Sequence, residues 1–265
     1  TGHEYDGIKE YDNPMPKWWQ GLYWGGVAFF IFYVLAYPAL GSYKGFLGWT
    51  SVGEHDKDKA AYDAKYEPIF KAFAAKPVEE LAQDEKAMKI AGRLFVNNCA
   101  ACHGADARGA KGFPNLTDND WLYGGEPAQI VETITNGRLP VEGGTKMPAW
   151  GATLGEQGVK EVAAYVLTLS ERKLSDADQK LAEAGQARFA VCAGCHGADG
   201  RGMHAVGAPN LTDTIWLYGG SQKTVEETIR HGRNGAMPAW KTRLGEEKVH
   251  LLAAYVYSLS HGGKH

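Results

Sequence analysis

The chain has 265 residues, 44% hydrophobic and 22% charged, with a formal net charge of −3. Its length suggests about two soluble units at ~150 residues per domain, and its charge balance lacks the strongly basic face that nucleic acid requires. Only 4 cysteines occur, in two close pairs, which argues against a scattered disulfide framework. Thr1 rather than Met opens the chain, which reads as a processed or missing start.

Residues 1–19 form an acidic leader. From Gln20 to Gly41 the chain runs for 22 residues without a charge, long enough to cross a ~30 Å hydrocarbon core as a helix. Trp18, Trp19 and Trp24 cluster at one end and Tyr37, Tyr43 and Trp49 at the other, as aromatic belts do at membrane interfaces. Pro38 sits near the end, where a lost backbone hydrogen bond is tolerated. A cleaved signal peptide fits poorly, because the run is too long, lacks a small-residue cleavage site and follows an acidic leader. Residues 42–83 read as a linker with a helix over Asp56–Ala75.

The remainder is a duplication. CAACHGADARG at Cys99 returns as CAGCHGADGRG at Cys192, PNLTD at Pro114 at Pro209, and MPAW at Met147 at Met237. AAYVLTLS at Ala163 returns as AAYVYSLS at Ala253. The offset drifts from 93 to 95 to 90, so loops differ while anchor points persist. Periodicity predicts helices over Ala87–Asn98, around Ile130–Ile134 and around Val159–Leu167. In the second copy they fall over Leu181–Val191, Val225–Ile229 and Val249–Leu259. Glycine- and proline-rich loops separate them, with no strand pattern of useful length. Glu171–Asp178 reads as a hinge. The expected fold is all-α: one membrane helix, then tandem units at 84–172 and 173–265. Small helical units with long loops need a covalent or metal staple.

CxxCH supplies one, as Cys99-Ala-Ala-Cys102-His103 and Cys192-Ala-Gly-Cys195-His196. Residues three and four apart share a helical face, so both thiols can bond the two vinyl groups of one haem while the histidine comes under the iron. This is the attachment signal of haem c. A zinc site needs about four N or S ligands, whereas each motif offers two cysteines and one histidine, with no second cysteine pair in its unit. A thioredoxin-like dithiol wants a βαβ context, and a reducible CxxC disulfide does not explain the histidine that follows both pairs.

The sixth iron ligand is expected to be Met147 and Met237, which recur in matched loops, 44 and 41 residues after the histidines. Thioether opposite imidazole raises the iron's potential. Met88 reads as core, Met203 lies too near His196 to reach the opposite haem face, and Met15 precedes the membrane helix. Pairing within each copy is the default. Exchange, with Met147 reaching the second haem and Met237 the first, is compatible with the spacing.

CxxCH, the PNL loop and the MPAW methionine loop resemble the cytochrome c fold. With the leader HEYDGIKEYDNPMPKWW and one membrane helix, nearly the whole chain resembles the CcoP/FixP family, the dihaem membrane subunits of cbb3-type cytochrome c oxidase. The resemblance implies that Pro114 and Pro209 orient the histidines through their carbonyls. It implies that Gly92 and Gly185 let first and last helices pack closely, near Tyr165 and Tyr255. Arg138 and Arg233 could pair with haem propionates or remain solvated. His204, His231 and His250 are unmatched between copies and read as surface or loop residues.

The function implied is a relay with no catalytic centre. Electrons from a donor cytochrome c would pass through two covalent haem c groups to the monohaem cytochrome subunit. From there they would reach the oxygen-reducing, proton-pumping haem-copper subunit. The placement implied is single-pass in a bacterial inner membrane, haem domains periplasmic and Thr1 cytoplasmic. Lys17 and Lys44 are too few to orient it by charge. A free-standing dihaem shuttle and the cytochrome subunit of a dehydrogenase are the alternatives. Residues 91–170 sum to net −2 and residues 185–260 to +2, so a basic donor is expected to prefer the first unit.

Overall fold

The computed structural model describes residues 2–9, 11–39, 41–139 and 147–262, so of the loop LPVEGGTK before Met147 only Leu139 is described. The chain forms two bodies, residues 1–67 and 68–265.

The first body opens on a hairpin that the strand pattern did not reveal, β1 (Glu4–Tyr5) antiparallel to β2 (Ile8–Lys9). Asp6 and Gly7 take φ of 49° and 83°, and Asp-Gly is the dipeptide that such two-residue turns favour. Helix α1 spans Lys17–Ala36, three residues earlier at its start than the charge-free run and five earlier at its end. It stops because Tyr37, before Pro38, is held extended at φ −116° and ψ 160°. The chain then turns back over the helix end. Phe46 N–H donates to the Leu35 carbonyl (3.0 Å), Leu47 N–H to Ala36 (3.2 Å) and the Tyr43 hydroxyl to Leu35 (2.9 Å). Carbonyls that a helix terminus leaves unpaired are thereby satisfied. Among the described residues α1 is the one helix long and apolar enough to cross a bilayer, its 20 residues rising ~30 Å.

Helix α2 (Ser51–Ala74) follows, its last residues from Pro68 belonging to the second body. Then come α3 (Val78–Leu81), α4 (Glu85–Asn98), α5 (Ala100–His103), α6 (Pro127–Asn136) and α7 (Gly151–Leu169). The second copy supplies α8 (Asp176–Arg188), α9 (Ala190–His196), α10 (Gln222–His231), α11 (Lys241–Leu244) and α12 (Glu246–Ser260). Sequence sets the boundaries. Asp84 accepts from the amides of Lys86 and Ala87 at 3.1 Å, Ser175 and Ser221 cap α8 and α10, and Glu126 with Gln129 forms a capping box. Part of the expected hinge, from Asp176, is the first turn of α8.

The two cores do not follow the consecutive halves 84–172 and 173–265. One cluster joins Phe95, Ala107, Ile130 and Ile134 of the first copy to Val249, Leu252, Ala253 and Val256 of α12, in the second. The other joins Val159, Val162, Ala163 and Val166 of α7, in the first copy, to Phe189, Cys192, Val225 and Ile229 of the second. Each copy lends its last helix to the other.

Side chains at corresponding positions explain the choice. On α7, Glu161 is buried and its Oε2 lies 2.6 Å from Arg188 Nε of α8, while Glu156 takes a two-pronged contact from Arg230 of α10 at 3.1 and 2.8 Å. The first copy has Phe95 and Thr135 where the second has Arg188 and Arg230. Packing α7 on α4 and α6 would bury Glu161 against Phe95 with no cation, an unpaired charge in an apolar site. α12 carries Leu251 in place of Glu161. It packs on α3 and α4, with His250 Nε2 2.8 Å from the Lys76 carbonyl and Lys248 over the Phe70 ring.

Gly185 marks the closest approach of α7 and α8, since a Cβ there would lie 2.5 Å from the Glu161 carbonyl carbon and 3.0 Å from Tyr165 Cβ. At Gly92 the corresponding atom would meet only the Tyr255 ring, at 3.4 Å. Gly185→Ala is therefore expected to cost about 2 kcal/mol, overpacking outweighing alanine's helical advantage. Gly92→Ala should be close to neutral. Denaturant midpoints of the two variants check this, and equal effects would contradict it.

Candidate functional site

Each CxxCH lies at a helix end. Cys99 closes α4 and Cys102 and His103 lie in α5, while Cys192, Cys195 and His196 lie in α9. Gly104 and Gly197 stop both helices with φ of 79° and 78°, a conformation glycine adopts without strain. All four cysteines are free thiols. Burial pushes Cys99 up to about 11, with Cys102 adding to the effect, and raises Cys192 in the same way. A reactive dithiol needs the opposite shift.

His103 Nδ1 lies 3.0 Å from the Pro114 carbonyl and His196 Nδ1 3.1 Å from the Pro209 carbonyl. Burial lowers both histidine pKa values, with the proline carbonyls opposing it. A neutral ring donating from Nδ1 keeps its lone pair on Nε2, the arrangement of a metal-ligating histidine fixed by an outer carbonyl. Two glycines that motif reading passed over make this possible. A Cβ at Gly109 would come 2.7 Å from the Pro114 carbonyl carbon, and one at Gly202 2.6 Å from that of Pro209. Their signal was the shared ending of CAACHGADARG and CAGCHGADGRG.

The methionines follow the exchange of helices. Met237 packs in the cluster that holds Cys99, Ala100 and Trp121, and Met147 in the one that holds Cys192, Ala193 and Trp216. Each methionine is seated in the other copy's cluster rather than in its own, because each MPAW loop precedes the helix that its copy lends. Met88 is core, as expected. His204 is exposed, and His250 is partly buried against α3's approach, hydrogen-bonded to Lys76.

Arg138 and Arg233 are anchored alike. Each guanidinium lies 4.4 Å from a tyrosine ring centroid, Tyr123 or Tyr218, and donates to Thr133 (2.7 Å) or Thr228 (2.9 Å). Arg138 Nε, Arg233 Nη2 and Trp216 Nε1 are nevertheless buried without a hydrogen-bond partner among the described residues. Orphaned buried donors are costly, and these three suit carboxylate groups such as haem propionates. The residues present therefore fit a haem in each core: two thiols, a carbonyl-oriented imidazole, a methionine packed in the same cluster, and donors for the carboxylates.

Asp120 sits where the two PNLTD loops approach. Burial first, then Asp213 and Asp118, raise its carboxyl to about 6, with His204 opposing. A carboxyl raised on folding holds its proton to higher pH than in the unfolded chain, so stability falls as pH rises from about 4 towards 6. Asp120→Asn is expected to flatten that decline, as thermal midpoints against pH would show.

Comparison with known proteins identifies the family. Residues 1–44 match the model for the N-terminal domain of cytochrome oxidase-cbb3, FixP. Residues 86–166 and 180–256 match that for cytochrome C oxidase, cbb3-type, subunit III. Over 98% of this chain and 84% of the relative, it is 50% identical to the cbb3-type cytochrome c oxidase subunit CcoP of Rubrivivax gelatinosus. It is 40% identical to the FixP subunit of Sinorhizobium medicae over 99% of this chain and 94% of the relative. For the CcoP subunit of an Azospirillum species the identity is 42%, over 100% and 95%. The chain belongs to the CcoP/FixP family of cbb3-type cytochrome c oxidase subunits.

Proposed function

We propose that this membrane-anchored oxidase subunit carries two covalent haem c groups and relays electrons from a donor cytochrome c to the monohaem subunit. They go on from there to the oxygen-reducing, proton-pumping haem-copper subunit. Haem c, when bound, supplies a one-electron iron centre. The chain's own residues set its properties. Cys99 with Cys102, and Cys192 with Cys195, would hold the two porphyrins by thioether bonds. His103 and His196 would ligate iron through Nε2, steered by Pro114 and Pro209. Met237 would complete the first site and Met147 the second, leaving no open position for dioxygen. Arg138, Arg233 and Trp216 would receive propionates. The crossing of each methionine into the other copy's core carries this reading of the ligand set.

The family match over the leader as well as the haem units supports an oxidase subunit over a free shuttle or a dehydrogenase subunit. The haem units are placed in the periplasm, where haem c is attached, with Thr1 on the cytoplasmic side. Replacing Cys99 and Cys102 by Ser is expected to halve the haem per chain in a haemochrome assay. Unchanged stoichiometry would overturn the two-haem reading.

A further inference from the structure

The two methionine segments are fastened to each other through one short stretch of chain. Met237 exchanges two backbone hydrogen bonds with Arg138, both 2.8 Å, and Met147 exchanges two with Arg233, 2.9 and 3.0 Å. The glycine before each arginine makes room. Gly137 has φ 67° and Gly232 φ 71°, and a Cβ at Gly137 would come 2.6 Å from Ala239 N. At Gly232 it would come 2.8 Å from Pro148 C and closer still to the Met147 carbonyl oxygen. Each methionine is thus seated by the Gly-Arg pair of the copy whose core it enters.

These two seats are joined by unequal connections. Arg233 and Met237 are four residues apart, a span of at most ~14 Å. Arg138 and Met147 are nine apart, with a reach of ~30 Å. The short stretch therefore does two jobs, gripping the Met147 backbone at Arg233 and presenting Met237 at its other end. Arg138 in turn grips Met237. Four residues in sequence of contact, Arg138, Met237, Arg233 and Met147, form one ladder with a single short tie.

We propose that the segment Gly232–Met237 is a tie that couples the two axial-methionine seats, so that displacing either methionine displaces the other. Gly137 and Gly232 are its positioning residues. Coupling between two sites is reciprocal, and its physical carrier here is a short, doubly clamped backbone segment. The consequence is that the ligand fields of the two irons are not independent: what loosens one thioether loosens both. This rests on the reading of Met147 and Met237 as iron ligands.

The test uses the full haem-loaded chain in detergent and proton NMR of the ferrous state. There each iron-bound methionine gives its own strongly shifted methyl resonance. Met147→His and Met237→His assign the two signals by removing one each. Gly137→Ala and Gly232→Ala should each move both resonances. Inserting two glycines between Asn234 and Gly235 should confine each movement to one resonance, whereas the same insertion between Gly143 and Gly144 should leave both moving. If Gly232→Ala moves only the Met147 signal, the tie is wrong while the ligands stand. If neither histidine substitution removes a signal, the ligand reading itself fails. Should the alanine variants not fold, the shift of the Met237 signal in Met147→His, and its disappearance with the Asn234–Gly235 insertion, decides the matter. A Met237 signal that Met147→His leaves unmoved overturns the tie.

Discussion

Ending the chain at Ala236, which removes Met237 and α12, is expected to abolish methionine ligation at the haem held by Cys99 and Cys102. The haem held by Cys192 and Cys195 should keep it. The expectation comes from the crossed cores. α12 gives Val249, Leu252 and Val256 to the cluster around Phe95. Burying three such side chains contributes roughly 5–9 kcal/mol, a large part of the 5–15 kcal/mol that holds a domain together. The first core would open, whereas α7, Met147 and the second core remain in the shortened chain. Near-infrared spectra of the ferric protein report this through the sulfur-to-iron band, which should fall by half. Consecutive, self-contained units would give the reverse assignment, the second haem losing its thioether.

The second large effect concerns Arg188. Glu161 is buried, and Arg188→Ala would leave its carboxylate with the Gln157 amide at 3.0 Å as the remaining polar contact that α7 itself supplies. Breaking a buried pair from one side costs about 3–5 kcal/mol. Because Arg188 is 47% exposed, the loss expected is about 3 kcal/mol, at the lower end of that range. The double variant Glu161→Leu with Arg188→Phe copies the Leu251 and Phe95 of the other core. It should recover most of that loss, since apolar replacements of buried ion pairs are often neutral or better. Chemical denaturation of the three proteins measures this. A double variant as unstable as Arg188→Ala would show that the pair is not what Glu161 depends on. The cost of the repair should be discrimination: with both cores apolar at this position, α7 loses one of its two reasons to prefer α8 and α10 over α4 and α6.

Most elements were legible because local signals set them. The period of Ala87–Asn98, the CxxCH pairs and the repeat itself all describe contacts within a dozen residues. The leader hairpin was missed because two-residue strands are too short to alternate, although Asp6-Gly7 marked the turn. The crossed helices were not legible, because α7 and α12 share their apolar faces: Val159 and Val249, Ala163 and Ala253, Tyr165 and Tyr255 correspond. Only the departures from the repeat discriminate, Glu161 against Leu251, Arg188 against Phe95 and Arg230 against Thr135. Those differences become meaningful once the helices are seen side by side. The charge sums changed meaning for the same reason. Regrouped by core, residues 85–139 with 237–260 carry 9 basic and 8 acidic side chains, and residues 147–236 carry 9 and 10. The sign of the expected donor preference reverses and its size halves, so the ordering of the two units by donor charge no longer follows.

The central claim, that each haem takes its thioether from the other copy, is tested most directly in a chain with one haem. In the background Cys99→Ser/Cys102→Ser, the haem left is the one at Cys192–His196. Met147→His in that background should convert it to bis-histidine ligation, removing the sulfur-to-iron band and lowering its reduction potential, while Met237→His should leave the sulfur-to-iron band in place. Conversion by Met237→His, with Met147→His silent, would contradict the account.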